Sequence, residues 1–367
     1  MLLTTSEPDS DKIMSEDSDV VSLMRAEKDA EYNTELGAAY QGDSRELLRE
    51  LPDDSIDLIV TSPPFALQHQ KEYGNEDQQG YNDWFMDFVP KVRRVLQPHG
   101  SFVVEMGGAF KRGIPERSTY QFELLTRLVD EDEGQLNLAQ DFYWYNPAKL
   151  PNPIEWVNVR KIRVTDAVTH IWWLTPEINK ESAVEEGEHP RPDASNQRVL
   201  QEYSDSQKDL IETGEYNDGK RNSGWDIDSD SFANDNDGAI PDNLIEASNT
   251  ASNTHYLKMC REFDVDAHPA RFPRHIPGFF IDFLTPEPPY DDWDRGELNR
   301  PVVLDIFAGS NITGKVAESK GRNWLAFEKQ QKYIDASQFR FLTESEIRKR
   351  LNEDQSDFGE FPEINED

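Results

Sequence analysis

At 367 residues the chain can bury a substantial core, as one large domain or two. It has no apolar run long enough to span a membrane, no basic region followed by an apolar segment at its start, and a single cysteine, Cys260. Membrane contact, a signal peptide, a disulfide framework and a cysteine-rich zinc site are therefore not expected, no metal is expected, and a cytoplasmic location is. The net charge of -34 counts against an ordinary nucleic-acid surface, which is basic because phosphate contacts dominate affinity. Acidic disordered tails, a partner with a basic surface and a halophile's surface chemistry each account for such a charge. The acids are spread through the folded-looking segments as well as the ends, which favours a high-salt cytoplasm. At about 1 M salt the Debye length is roughly 3 Å, so net charge no longer decides which polymer can approach.

In chain order, residues 1–30 are acidic and Ser-rich without sustained periodicity, and a mobile arm is expected there. Residues 37–43 read as a short strand ending in Gly-Asp, and 44–51 as a helix with Ser44 as its N-cap. Residues 56–60 are a buried strand. Trp84, Phe85, Phe88, Val92 and Val95 recur at helical spacing, which predicts one helix over 81–96 with a core-facing stripe rather than a ligand box. A strand follows at 102–104, a helix at 118–129, and two aromatic-rich strands at 142–145 and 170–174. From 177 to 254 Asp, Glu, Asn, Ser and Gly dominate and apolar periodicity fades, so an insertion or long loop region is expected. Regular structure resumes with a helix at 276–284, a Pro- and Asp-rich linker at 286–299, a strand at 302–307, a helix at 313–320, a strand at 323–328 and a helix at 333–342. The acidic end after residue 352 is expected to fray.

Three stretches carry chemistry. Thr61-Ser62-Pro63-Pro64-Phe65 follows the strand at 56–60. Its prolines end the strand and hold an extended, rigid turn. Ser62 and the Pro63 carbonyl then sit at a strand's carboxyl end, where open α/β sheets bind ligands. Phe65 sets a flat apolar face beside two acceptors, a fit for an amino group on a planar heterocycle. The second stretch, residues 302–314, is strand, small-residue turn and helix start. Gly309 lets backbone approach a ligand closely, and Asp305 at the strand's end can meet an ammonium group. Glu328 ends the next strand about twenty residues after the turn, where an acid bonds ribose hydroxyls in nucleotide-binding α/β folds. The turn lacks the G-x-G-x-x-G of dinucleotide sites, which disfavours nicotinamide chemistry. The third is His268-Pro269-Ala270-Arg271-Phe272-Pro273, in which His268 reads as a capped core histidine before a catalytic one.

The first stretch resembles the Ser-Pro-Pro-Phe/Tyr motif of DNA methyltransferases acting on exocyclic amines, especially N4 of cytosine. The second resembles their Asp-x-Phe-x-Gly-x-Gly-Thr motif, with Ile306 in place of the usual Pro and Asn311 in place of the second Gly. Asn tolerates left-handed backbone, so the turn can survive. The third is similar to their His-Pro-x-x-Phe-Pro element. Catalytic turn first, variable region next and cofactor motif last is the order of the β group, and residues 141–147 and 151–157 also look close to its members. The resemblance covers roughly 37–341. It implies an α/β, Rossmann-like, S-adenosylmethionine-dependent methyltransferase fold with circularly permuted motif order and an inserted target-recognition region. The domains it implies are a catalytic half at 31–176, a target-recognition region at 177–254 and a cofactor-binding half at 255–352, followed by the acidic tail at 353–367. Residue by residue, it implies catalysis at Ser62, Pro63, Pro64 and Phe65. Cofactor binding falls to Asp43 (at the adenine), Phe272, Pro273, Asp305, Phe307, Gly309, Ser310, Asn311, Thr313 and Glu328.

Cys260 lies in Lys258-Met259-Cys260-Arg261 and not after a proline in a catalytic turn. Carbon-5 methylation of cytosine needs a thiolate adding to the ring, so direct transfer to nitrogen is the expectation, on a base flipped out of duplex DNA. One of Tyr143, Trp144 or Tyr145 is the candidate to face Phe65 across that base. Arg160, Lys161 and Arg163 form one local basic group and Arg112 with Arg117 another, the expected contacts to double-stranded DNA. The resemblance suggests a short palindromic site, with CTAG the candidate; a cognate restriction endonuclease sharing the site is left open, and no physical partner is implied. Adenine-N6 transfer is the alternative, although that motif begins with Asp or Asn where this chain has Ser62. A non-catalytic nucleic-acid-binding protein of the same fold is the third reading.

Overall fold

The apolar runs become the strands of one mixed sheet. A computed structural model describes residues 19–24, 29–66, 80–111, 113–176, 193–213, 219–220, 226–227, 235–250, 252–288 and 299–349. The first half contains β1 (Tyr32–Asn33), β2 (Gly37–Gln41), α1 (Ser44–Glu50), β3 (Ile56–Thr61), α2 (Tyr81–Met86), α3 (Val89–Val95), β4 (Leu96–Met106), α4 (Tyr120–Val129), β5 (Asn137–Tyr145) and β6 (Val168–Thr175). The variable region supplies α5 (Asp205–Thr213), the paired β7 (Gly219–Lys220) and β8 (Asp226–Ile227), and β9 (Leu244–Glu246). The second half adds α6 (His255–Glu262), α7 (His275–Leu284), β10 (Val302–Asp305), α8 (Ile312–Ser319), β11 (Asn323–Glu328) and α9 (Gln331–Ser337).

The sheet order is β1-β2-β11-β10-β3-β4-β6-β5-β9. The strands β2, β11, β10, β3 and β4 run parallel. β6 returns antiparallel between β4 and β5. Strands buried on both faces read as continuous apolar runs, and all six residues of β3 are buried. Their parity divides the core. Ile59, Val302 and Leu304 pack with Leu47 and Leu48 of α1, Phe85 of α2, Val92 of α3 and Leu124 of α4. Leu58, Val60 and Val303 pack with Phe280 of α7, Val316 of α8 and Ile334 of α9. The chain leaves β10 through α8 toward β11, and leaves β3 through α2 and α3 toward β4 on the other side. β10 and β3 are neighbours, so the crevice at their carboxyl ends is a topological switch point, where such sheets bind ligands.

Several expectations need correction. The helix expected over 81–96 is two, because Pro90 has no N–H to donate and its ring clashes with the carbonyl four residues back; it is accommodated in the first turn of α3. Asp43, not Ser44, caps α1: its carboxylate accepts the Arg45 N–H at 2.9 Å. Ser44 is buried and donates to the Ile306 carbonyl at 2.5 Å, tying α1 to the end of β10. Part of the expected arm is docked: Asp19–Leu23 form a 3-10 turn, and Val20 and Met24 are buried in the core. The rest of 1–18 and residues 25–28 lie outside the described residues, as do 177–192, 214–218, 221–225, 228–234, most of the linker at 289–298, and the tail. The variable region also joins the core: β9 pairs with β5, and Ile245 is buried.

Candidate active site

The carboxyl ends of β2, β3, β4, β10 and β11 open onto one cleft of about 720 Å³. One wall comes from β3 and β4. Past the last residue of β3 the two prolines turn the chain, and Ser62, Pro63, Pro64 and Phe65 all line the cleft. The Phe65 ring lies against Gly107, where a Cβ would fall 2.4 Å from it, so Gly107 leaves the room that seats the ring.

Beside Ser62 stands a residue that sequence reasoning missed. Glu105 is 4% exposed near the end of β4, in a strand pair that sets Thr61 against Val104, and it lines the cleft. Burial pushes its carboxyl up to about 7, while the hydrogen bond from Ser62 and the Lys149 charge pull it down. The available signal was an acid inside the apolar run Phe102-Val103-Val104-Glu105-Met106, since a buried charge is costly unless it has work or a partner.

The opposite wall is the turn after β10. Gly309 has φ +52°, and a Cβ there would sit 3.1 Å from the His268 ring. Asn311 takes φ 52°, the left-handed backbone expected of it, and caps α8 by accepting the Gly314 N–H at 3.0 Å. Glu328 accepts the N–H of Gly309 at 2.9 Å and of Gln330 at 2.8 Å; burial pushes its carboxyl up despite those bonds. Arg340 is a further unforeseen residue. It donates to the Ser310 hydroxyl at 2.7 Å and to the Ser310 carbonyl, packs over the Tyr256 ring, and burial lowers it to about 10. It holds the turn from behind.

Phe307, Gly309, Ser310, Glu328, Phe272 and Asp43 line the cleft. Asp305, Asn311, Thr313 and Pro273 do not. Asp305, expected to meet an ammonium group, is 2% exposed and faces inward. It accepts Thr61 Oγ1 at 2.7 Å, Thr313 Oγ1 at 2.7 Å and the Phe307 N–H at 3.1 Å. Burial raises it to about 6. Asp43 is held by Arg45 through Nε at 3.0 Å and Nη2 at 2.7 Å, which lowers it to about 2. The helical stripe is not wholly core: Trp84 and Phe88 line the cleft and flank Phe307, with ring centroids 5.7 and 5.1 Å away. His268 also lines it. Its Nδ1 lies 2.5 Å from the Ala270 carbonyl and burial lowers it to about 4, so it is neutral near pH 7. Of the three aromatics on β5, Trp144 is the one on the wall.

Arg160, Lys161 and Arg163 stand in the segment between β5 and β6, off the cleft wall. Arg160 pairs with Glu155 at 2.8 Å. Arg163 lies 4.3 Å over the Phe110 ring and, with Arg117, approaches Asp166 at 3.8 and 3.7 Å. The two basic groups of the sequence are thereby brought together, although Arg112 lies outside the described residues. Among the described residues no group of three or more His, Cys, Asp or Glu could hold a metal, and no helix is long and apolar enough to cross a membrane.

A family profile described as DNA methylase matches residues 56–339. The type II methyltransferase M.PvuII of Proteus hauseri is 50% identical over 313 residues, 85% of each chain. The type II methyltransferase M.BamHI of Bacillus amyloliquefaciens is 36% identical over 102 residues, 27% of this chain and 22% of that one. The solved structure of PvuII DNA methyltransferase (cytosine-N4-specific) superposes with a TM-score of 0.66 at 41% identity, covering 89% of this chain and 95% of that chain.

Proposed function

The chain belongs to the DNA methylase family, and from that membership we infer an enzyme that transfers a methyl group from S-adenosylmethionine to the exocyclic N4 amine of cytosine in DNA. The observation that carries the reading to this chain's own residues is the single cleft in which Ser62 and Phe65 face Phe307, Gly309 and Glu328. The order of those motifs in the chain supports the permuted β-group arrangement, with residues 31–176 as catalytic half and 255–352 as cofactor half.

The cleft's donors fit the cofactor. The positive φ of Gly309 sets the turn on the cleft wall, and the absence of a side chain there leaves room for the His268 ring against it. Phe307 would flank the purine with Trp84 and Phe88, Glu328 would take the ribose hydroxyls with its remaining lone pairs, and Asp43 would reach the adenine. S-adenosylmethionine, when bound, supplies an electrophilic methyl at its sulfonium sulfur. The cytosine amine is a poor nucleophile because its lone pair is delocalised into the ring. Ser62 Oγ and the Pro63 carbonyl would accept its two N–H groups, favouring a more tetrahedral nitrogen. Ser62 donates to Glu105, so the proton lost as the N–C bond forms has a route from nitrogen through Ser62 to that carboxylate. Phe65 and Trp144 would hold the flipped ring between them.

Mass spectrometry of nucleosides from DNA treated with the protein and S-adenosylmethionine should find N4-methylcytosine; N6-methyladenine would overturn the reading. Methylome sequencing of an expressing host gives the site, for which a short palindrome such as CTAG is our candidate. A restriction endonuclease sharing that site, and residence at the nucleoid in the cytoplasm, belong to the same proposal. The charge of -34 supports a high-salt setting: activity should persist at about 1 M KCl and folding should fail in dilute buffer, where self-repulsion is unscreened. Full stability in dilute buffer would remove that part of the proposal.

A further inference from the structure

The segment between β5 and β6 departs from the rest of the chain in two ways. Residues 146–167 carry four cations and two acids, Glu155 and Asp166, in a chain of net charge -34. They also expose apolar side chains: Leu150 is 81% exposed, Val164 84% and Ile154 63%. Single surface hydrophobics need no explanation, but several on one segment beside cations mark an interaction surface. The segment has internal structure. The Trp156 carbonyl accepts the N–H groups of Ile162 and Arg163 at 3.0 and 3.3 Å, and Arg163 is anchored over Phe110. Pro151 and Pro153 stiffen the backbone beyond Leu150.

Leu150 and Ile154 line the mouth of the cleft that holds Ser62 and Phe65, whereas Val164 does not. An apolar side chain held in water at the entrance to that cleft, with cations beside it, matches the chemistry of a DNA duplex whose stack is being opened. Phosphates meet the cations, and the opened base step meets the apolar group. We propose that this segment enters the duplex and that Leu150 is the wedge occupying the place vacated by the target cytosine while that base lies in the cleft. The proposal rests on the methyltransferase reading above. Leu150 is a positioning residue in it: it acts on the DNA stack and leaves the reacting atoms to Ser62.

The test is single-turnover methylation by the full chain and its Leu150→Ala and Leu150→Ile variants. The duplexes carry the site found by methylome sequencing, with the target cytosine paired to guanine or set opposite an abasic position. Leu150→Ala should be slower by about tenfold or more on the paired duplex and return to about the wild-type rate opposite the abasic position, where no pair has to be broken. Leu150→Ile should keep the wild-type rate on both, and cofactor affinity and Tm should not move. Equal loss on the two duplexes, or no loss on the paired one, would overturn the wedge. A wild-type protein that forms no N4-methylcytosine on either duplex would instead overturn the methyltransferase reading, and the wedge with it.

Discussion

Each side of the cleft has a buried carboxylate beside a hydroxyl, Glu105 on one wall and Asp305 behind the other, and the two are wired differently. On the proposed cofactor wall, Asp305 receives two threonine hydroxyls and a backbone N–H, and Glu328 receives backbone N–H groups of Gly309, Gln330 and Lys329. Asp305 fastens β10 to β3 through Thr61 and to α8 through Thr313, so it acts on a ligand through the shape of the turn. On the proposed catalytic wall, Glu105 receives the Ser62 hydroxyl, and burial pushes it up to about 7. Donors stabilise an ionised carboxylate and lower its pKa, and a carboxylate given fewer of them stays a better proton acceptor near neutrality. One wall is preorganised by its own hydrogen bonds. The other keeps capacity for a proton that has yet to arrive.

If that contrast holds, the two walls fail differently. The largest effect is expected from Ser62→Ala. Removing the acceptor on the reacting amine should cost about 2.7–4 kcal/mol, if it resembles loss of a preorganised oxyanion donor, a drop of roughly 10²–10³ in single-turnover rate. Cofactor affinity, measured by calorimetry, should not change, because Ser62 is bonded to Glu105 on its own wall. A wild-type rate would remove Ser62 from the chemistry.

Asp305→Ala should show the reverse pattern. The Thr61 and Thr313 hydroxyls and the Phe307 N–H lose their acceptor inside the core, at about 1–3 kcal/mol for each group left unsatisfied. Tm and cofactor affinity should therefore fall together. Weakened affinity with an unchanged Tm would mean that Asp305 touches the ligand directly, as its motif alone suggested, and unchanged affinity would sever it from the cofactor site.

How much of this could be read from the chain follows from locality. The parallel strands were legible because burial on both faces leaves continuous apolar runs, and the two turns were legible because Pro63, Pro64, Gly309 and Asn311 each constrain backbone by themselves. The left-handed backbone of Asn311 was expected from its residue type and is present. Which way Asp305 faces was not legible, since it depends on threonines supplied by β3 and α8. The Ser62–Glu105 pair joins residues 43 positions apart in sequence, through a register that only the folded sheet defines. Arg117 and Arg163 meet at Asp166 for the same reason. The break at Pro90 was legible and was outweighed by the regular spacing of Trp84, Phe85, Phe88, Val92 and Val95. In β9 three residues are too few to show a period.

The smallest and most discriminating effect concerns pH. Burial raises the Glu105 carboxyl from 4.5 to about 7 in the folded chain. A raised folded-state pKa contributes stability that is fully present below the unfolded value and is lost as pH rises through the folded value. Between 4.5 and about 7, then, this group makes the protein more stable as pH falls. Its proposed role runs the other way, because only the ionised carboxylate can take the proton from Ser62. Single-turnover rate should fall about tenfold per pH unit below about 7, or below a somewhat lower value once a cationic cofactor lies nearby. Glu105→Gln keeps the shape, removes the titration and cannot accept the proton, so its rate should be low and flat across the window. Protonation of the many surface acids also relieves self-repulsion as pH falls, and that background is common to both proteins. The difference between wild type and Glu105→Gln in thermal melts and rates, taken from about pH 5 to 8, isolates the single group. Rate and stability should move in opposite directions for the wild type and lose that opposition in the variant. A Glu105→Gln protein that retains the wild-type rate and its pH dependence would return Glu105 to the fold and leave Ser62 without a proton acceptor behind it.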